Sequence, residues 1–227
     1  MNKENIYKIA KIMPPPIRKF IKLFYNPIIP TISKVNYGED SDPKVTNMMC
    51  EKLGDIINCD GDIIEFGCYK CGATIKFAKV LKKNNSNKKI YALDTFSGLP
   101  EETQGKDSIR DFYINSMDNN DINKVKKVLM KNKVSNIVIL MKGLFSESIP
   151  KLRDKRFCFA YVDCDLYSGT KEALEFLIPR MNKGGIIFID DYFSTNWCGV
   201  KKAVLEILPK NEIKNNKGKI YWIKNSI

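Results

Sequence analysis

The chain has 227 residues, of which 44% are hydrophobic, and a formal net charge of +12. That length suits one domain with a full core and room for an extra segment at one end. No run of about 18 apolar residues suggests a membrane span, and histidine is absent altogether, which excludes Ser-His-Asp and Cys-His catalysis and His-containing zinc sites.

The start of the chain lacks the apolar core and cleavage site of a signal peptide. With that, seven cysteines, an odd number, read as reduced thiols, and a cytoplasmic location is expected. The charge admits nucleic acid, anionic membranes or acidic small molecules as partners. Lysine and asparagine are abundant along the whole chain and no basic-aromatic cluster accompanies them. Nucleic acid is therefore not the expected partner.

Residues 1–36 are expected to form a basic helical extension, and residues 37–227 a catalytic domain. Ile6 to Met13 suits a short helix stopped by Pro14, Pro15 and Pro16. Ile17, Phe20, Ile21 and Phe24 then follow helical spacing with Arg18, Lys19 and Lys22 between them. Such a segment can lie on an anionic membrane surface, or pack on its own domain or on a partner subunit in a homo-oligomer. Asn36–Pro43 is a polar loop that could close over a substrate. A helix over Lys44–Ile57 follows, capped by Asp42 with Pro43 at its first position, and Met48 and Met49 are candidates to line the site.

From there strands and helices alternate. Strands are expected at Asp62–Phe66, Lys89–Leu93, Asn136–Met141, Phe157–Val162 and Gly185–Ile189. Helices are expected at Ala73–Lys83, in two pieces over Asp107–Lys133, at Thr170–Met181 and at Gly199–Leu208. Glu212–Lys214 and Lys219–Ile223 suit a terminal hairpin or edge strands. The pattern is that of an α/β fold with a mostly parallel sheet, an antiparallel C-terminal strand and helices on both faces. Ligands of such sheets sit beyond the carboxyl ends of the strands.

The first strand runs into Glu65-Phe66-Gly67-Cys68-Tyr69-Lys70-Cys71-Gly72-Ala73-Thr74. This is neither G-x-G-x-x-G nor a P-loop, because Ala73-Thr74 replaces Lys-Ser/Thr. A carboxylate just before the glycine suits a ligand with positive charge. The second strand ends in Asp94, which can accept ribose hydroxyls or cap its own loop. Together Glu65 and Asp94 suit an adenosine-containing, cationic ligand, and S-adenosylmethionine fits better than NAD. The donor site is expected to comprise Glu65, Phe66, Gly67, Tyr69 and Gly72, then Asp94, Thr95 and Phe96, and Gly143 after the third strand. Cys68 and Cys71 form a C-x-x-C, readable as a redox dithiol, half a zinc site, or small residues in a tight turn.

Two later strands each end in acids, Asp163 and Asp165 on one, Asp190 and Asp191 on the other. Neighbouring carboxylates repel, so keeping several ionised calls for a cation. Oxygen ligands favour Mg²⁺, with Ca²⁺ or Mn²⁺ as alternatives.

The stretches IIEFGCYKCGATI, YALDTFSGLPEET, KGLFSESIP and AYVDCDLYSGTKEALEFLIPRMNKGGIIFIDDY resemble the macrocin O-methyltransferase family, which methylates sugar hydroxyls on macrolides and aminocoumarins. The resemblance runs from about Asp62 to Tyr192. It implies a Rossmann-like class I methyltransferase fold, S-adenosylmethionine, Mg²⁺ and a sugar or glycoside acceptor. It assigns Asp163, Asp190 and Asp191 to the metal, Asp165 to the general base, and Glu65, Gly67 and Asp94 to the donor. Cys71 departs from the pattern, standing where relatives usually have glycine. The competing readings are a small-phenol, catechol-type O-methyltransferase with the same metal geometry, in which Asp165 would be dispensable, and a non-catalytic membrane-associated binding protein. A nucleic-acid methyltransferase would reveal itself by salt-sensitive RNA binding.

Overall fold

A computed structural model describes residues 35–39, 42–100, 107, 120–195, 197–216 and 218–225. The expected helices at Ile6–Met13 and Ile17–Tyr25 lie outside the described residues, as does most of the first piece of Asp107–Lys133.

The described chain runs α1 (Pro43–Asp55), β1 (Asp62–Phe66), α2 (Gly72–Lys83), β2 (Ile90–Asp94), α3 (Ile122–Lys131), β3 (Val138–Lys142), α4 (Phe145–Ser148), β4 (Phe157–Val162), α5 (Tyr167–Leu177), β5 (Met181–Ile189), α6 (Cys198–Ile207), β6 (Lys214–Asn216) and β7 (Lys219–Ile223). Short 3₁₀ turns follow α4 and α5 and precede β6. The seven strands form one sheet in the order β3-β2-β1-β4-β5-β7-β6. β1 to β5 pair in parallel. β7 is antiparallel to β5, and β6 to β7.

Alternation along the strands divides the core into two layers. Ile63, Ala92, Tyr161 and Phe188 face Met49 and Leu53 of α1, Ile75 and Ala78 of α2, and Val125 of α3. Ile64, Leu93, Ala160 and Ile187 face Leu174 and Leu177 of α5 and Val200 and Val204 of α6. The central strands are therefore apolar on both faces, which parallel strands covered by helices require. Asp62 pairs with Phe157 and Ile63 with Phe159, so Cys158 is the extra residue of a bulge.

Local chemistry sets the helix starts. The Asp42 side chain accepts the Val45 amide and Pro43 opens α1. Asp121 caps α3 in the same way, through the Asn123 amide. α5 begins at Tyr167, three residues before the expected Thr170, because its first amide donates to the Asp107 carboxylate from a distant part of the chain. α6 and the final strand pair lie within a residue or two of expectation.

Candidate active site

The strand order reverses between β1 and β4, so their carboxyl ends border a crevice. Gly67 lies there with φ +83°, and a Cβ on it would overlap the Asp163 carbonyl oxygen. The Gly67 amide donates to Leu93 O at 2.8 Å. Glycine is thus needed for a left-handed turn wedged between two strand ends. A cavity of about 420 Å³ opens over these ends, within the range of small-molecule sites.

On one side stand the expected donor residues. Glu65 is buried, and its Oε2 accepts the Thr74 hydroxyl at 2.5 Å. Asp94 accepts the Tyr69 amide on Oδ2 and the Phe96 amide on Oδ1, both at 2.7 Å. Burial holds the Asp94 carboxyl above the usual carboxylate range, against the pull of those amides. The Thr95 side chain also bears on Asp94, and a carboxylate, with about four acceptor positions, retains capacity for a ligand. Glu65, Gly67, Tyr69, Gly72, Asp94 and Thr95 all line the cavity. Phe66, Phe96 and Gly143 are placed elsewhere. The Phe66 ring packs edge-on against Phe145 and Phe176 in the core. Phe96 is buried in the other layer while its amide holds Asp94. The Gly143 amide donates to Asp94 O, and Glu147 fills the space where a Cβ would go.

Opposite lies the acidic edge. Asp163, Asp165 and Asp191 bring carboxylate oxygens within 4.8 Å of one another. Burial first, then the neighbouring carboxylates, pushes Asp163 and Asp165 well above the usual range, and burial raises Asp191. Asp190 is turned aside. Its Oδ2 accepts the Tyr161 hydroxyl at 2.6 Å, and its Oδ1 meets the Lys219 ammonium and the Asp191 amide. The four acids do converge on one edge, but the group within mutual reach contains Asp165 rather than Asp190.

Three non-glycine residues that line the cavity, Tyr69, Asp165 and Asp191, hold left-handed backbones, as do Cys71 and Phe96 in the adjoining turns. Such conformations cost about 1–3 kcal/mol each and concentrate at functional sites. Cys71, at φ +61°, caps the start of α2 in a conformation that glycine adopts more readily than any residue with a Cβ.

Cys68 and Cys71 are both buried free thiols. Burial, and then the adjacent Cys71, pushes the Cys68 thiol well up. A protonated thiol is a poor nucleophile, so Cys68 fits a tight turn better than a redox centre. At about pH 8, iodoacetamide should leave both unmodified in the native protein over a time that labels them in the denatured chain. Equal labelling in the two states, seen by peptide mapping, would contradict this.

Met48 and Met49 are buried in the core instead of lining the site. The α1 residues on the cavity are Val45 and Thr46, preceded by Val35, Glu39 and Asp42. Reading the sequence did not find Lys219, Tyr161, Glu172 or Trp197, which also line it. Lys219 arrives because β7 inserts antiparallel beside β5. Ile220 pairs with Ile189, and the preceding residue is brought to Asp190.

A family model for macrocin-O-methyltransferase (TylF) matches residues 45–224. The chain belongs to this family. It is 28% identical over 142 residues to an 8-demethyl-8-(2,3-dimethoxy-alpha-L-rhamnosyl)-tetracenomycin-C 4'-O-methyltransferase of Streptomyces olivaceus, covering 58% of this chain and 53% of that one. It is 25% identical over 178 residues to a demethyldecarbamoylnovobiocin O-methyltransferase of Streptomyces niveus, covering 73% and 66%. The chain thus spans between about half and two thirds of the length of these curated relatives. Among solved structures, the O-methyltransferase NovP superposes with a TM-score of 0.72 at 24% identity, covering 81% of this chain and 80% of that one. The calicheamicin methyltransferase CalS11 gives 0.69 at 20%, covering 97% and 90%. The macrocin O-methyltransferase sheet, parallel with an antiparallel C-terminal pair, is the class I methyltransferase fold expected from sequence. Among the described residues no helix is long and apolar enough to cross a membrane.

Proposed function

We propose that the protein transfers a methyl group from S-adenosylmethionine to a hydroxyl of a sugar or glycoside, with Mg²⁺ at the acidic edge. The observation that carries this reading is the convergence on one cavity of Glu65 and Asp94 with the carboxylates of Asp163, Asp165 and Asp191. Relatives named for sugar-bearing acceptors support the acceptor class. One carries a rhamnosyl group in its name, and CalS11 is described as a TDP-rhamnose 3'-O-methyltransferase.

The residues fit both groups. The acidic edge offers hard oxygen donors, partly buried and mutually repelling, which suits Mg²⁺. The cavity has the volume for a nucleoside, a buried carboxylate at Glu65, and the backbone turn at Gly67 on its wall. Asp163 and Asp191 would hold the ion, with Asp190 completing the set once its carboxylate leaves Tyr161 and Lys219, and the ion would supply Lewis-acid stabilisation of charge developing on the acceptor oxygen. S-adenosylmethionine supplies an electrophilic methyl group on a sulfonium.

The chain's own groups do the rest. Asp94 accepts the ribose hydroxyls with the lone pairs its backbone donors leave. Glu65, braced by Thr74, gives a negative charge to the cationic end of the donor. Asp165 takes the acceptor's proton on a carboxylate oxygen. Burial makes it a stronger base than a surface aspartate, which suits a hydroxyl that is a poor acid. Alignment of oxygen, methyl carbon and sulfur supplies much of the remaining acceleration.

Asp165→Asn should lower turnover by about 10²–10⁴-fold while sparing donor affinity and the rise in melting temperature given by Mg²⁺. Loss of that Mg²⁺ effect would make Asp165 the third ligand in place of Asp190. The acceptor class is tested with labelled donor and Mg²⁺ against nucleotide sugars, glycosides and catechols. Label entering only catechols would refute the sugar assignment.

A further inference from the structure

Lys70 belongs to no step above, yet it is only 5% exposed in the turn between β1 and α2. Its ammonium donates to Val35 O at 2.8 Å and stands 4.8 Å from the Tyr69 ring centre and 5.2 Å from that of Tyr37. Its carbonyl accepts the Gly38 amide at 2.9 Å. Among the described residues no carboxylate pairs with it. An ammonium buried against a carbonyl and two aromatic faces is a costly way to fill space, where a methionine would pack as well.

The surroundings form a continuous path. The Tyr69 amide donates to Asp94 Oδ2, and the Tyr69 carbonyl accepts from Asn120 Nδ2 at 2.7 Å. The Tyr37 hydroxyl accepts the Asp121 amide at 2.8 Å, at the cap of α3. Val35 and Glu39, from the strap that Lys70 holds, line the cavity. Asp94 and the strap are therefore joined through two consecutive residues, Tyr69, whose backbone is left-handed, and Lys70.

We infer that Lys70 is a positioning residue that fastens the strap of residues 35–39 to the donor turn, so that donor occupancy and strap seating reinforce one another. The inference rests on the donor-site reading of the cavity. By linkage, whatever factor the seated strap adds to donor affinity, the donor returns to strap seating.

The test uses the full chain, with S-adenosylhomocysteine as the probe. Saturating S-adenosylhomocysteine should slow chymotryptic cleavage after Tyr37 in the wild type. Lys70→Met keeps the aliphatic stem and removes the charge. It should bind the probe about tenfold more weakly and lose that protection, while Lys70→Arg retains both. If Lys70→Met does not fold, Tyr37→Leu carries the affinity measurement with the same expectation. Wild-type affinity in the variant, or cleavage in the wild type unaffected by bound probe, overturns the coupling. A wild type that binds no probe overturns the donor-site reading instead.

Discussion

Asp191→Asn should abolish the effect of Mg²⁺ while leaving the metal-free protein at least as stable as the wild type. The reason lies in the charge balance of the edge. Without an ion, the Asp191 carboxylate raises both Asp163 and Asp165 and gains nothing from burial. Replacing it by a neutral amide of the same shape removes repulsion, so the metal-free melting temperature should hold or rise. With Mg²⁺ present the order reverses. The wild type gains stability by mass action, the variant does not, and turnover should drop by about 10²–10³-fold. Melting curves with EDTA and with Mg²⁺, beside a methyl-transfer assay, separate the two effects. Full wild-type turnover in EDTA would defeat the metal mechanism.

Gly67→Ala should be the most damaging single methyl in the described chain. The new Cβ would overlap the Asp163 carbonyl, and the backbone at φ +83° disfavours any side chain. Neither neighbour can yield easily, because Gly67 donates to β2 and the Asp163 amide donates to Phe66 O at 2.9 Å. Strain and overpacking together should cost about 3–5 kcal/mol, a large part of a typical domain's stability. Gly54→Ala is the control. It lies in α1 with open space around it, and alanine there should be neutral or stabilise by up to about 1 kcal/mol. Urea unfolding of both variants reads the contrast, and equal midpoints would refute the packing argument at the strand switch.

The legible parts of the chain are those where structure is local. β1 and β4 have the bounds expected, because their apolar runs are short and end in glycine or acids. The start of α1 follows from Asp42 and Pro43. Errors appear where a remote residue decides. Asp107 extends α5 backwards to Tyr167, and Lys219 reaches Asp190 only after β7 inserts beside β5. Periodicity also could not say that Met48 and Met49 face only the core while Val45, at the core's edge, and Thr46 reach the cavity. The residues of the acidic edge were readable as a set, since two neighbouring parallel strands must end together. Their grouping was not, because it depends on which oxygen each backbone turn presents.

The most direct measurement is a crystal structure with S-adenosylhomocysteine and Mn²⁺, which replaces Mg²⁺ at oxygen sites and scatters anomalously. The expected result is one strong anomalous peak touched by the carboxylates of Asp163 and Asp191, with the nucleoside ribose on Asp94. A bound nucleoside with no peak at that edge, or a peak held by other residues, would contradict the account.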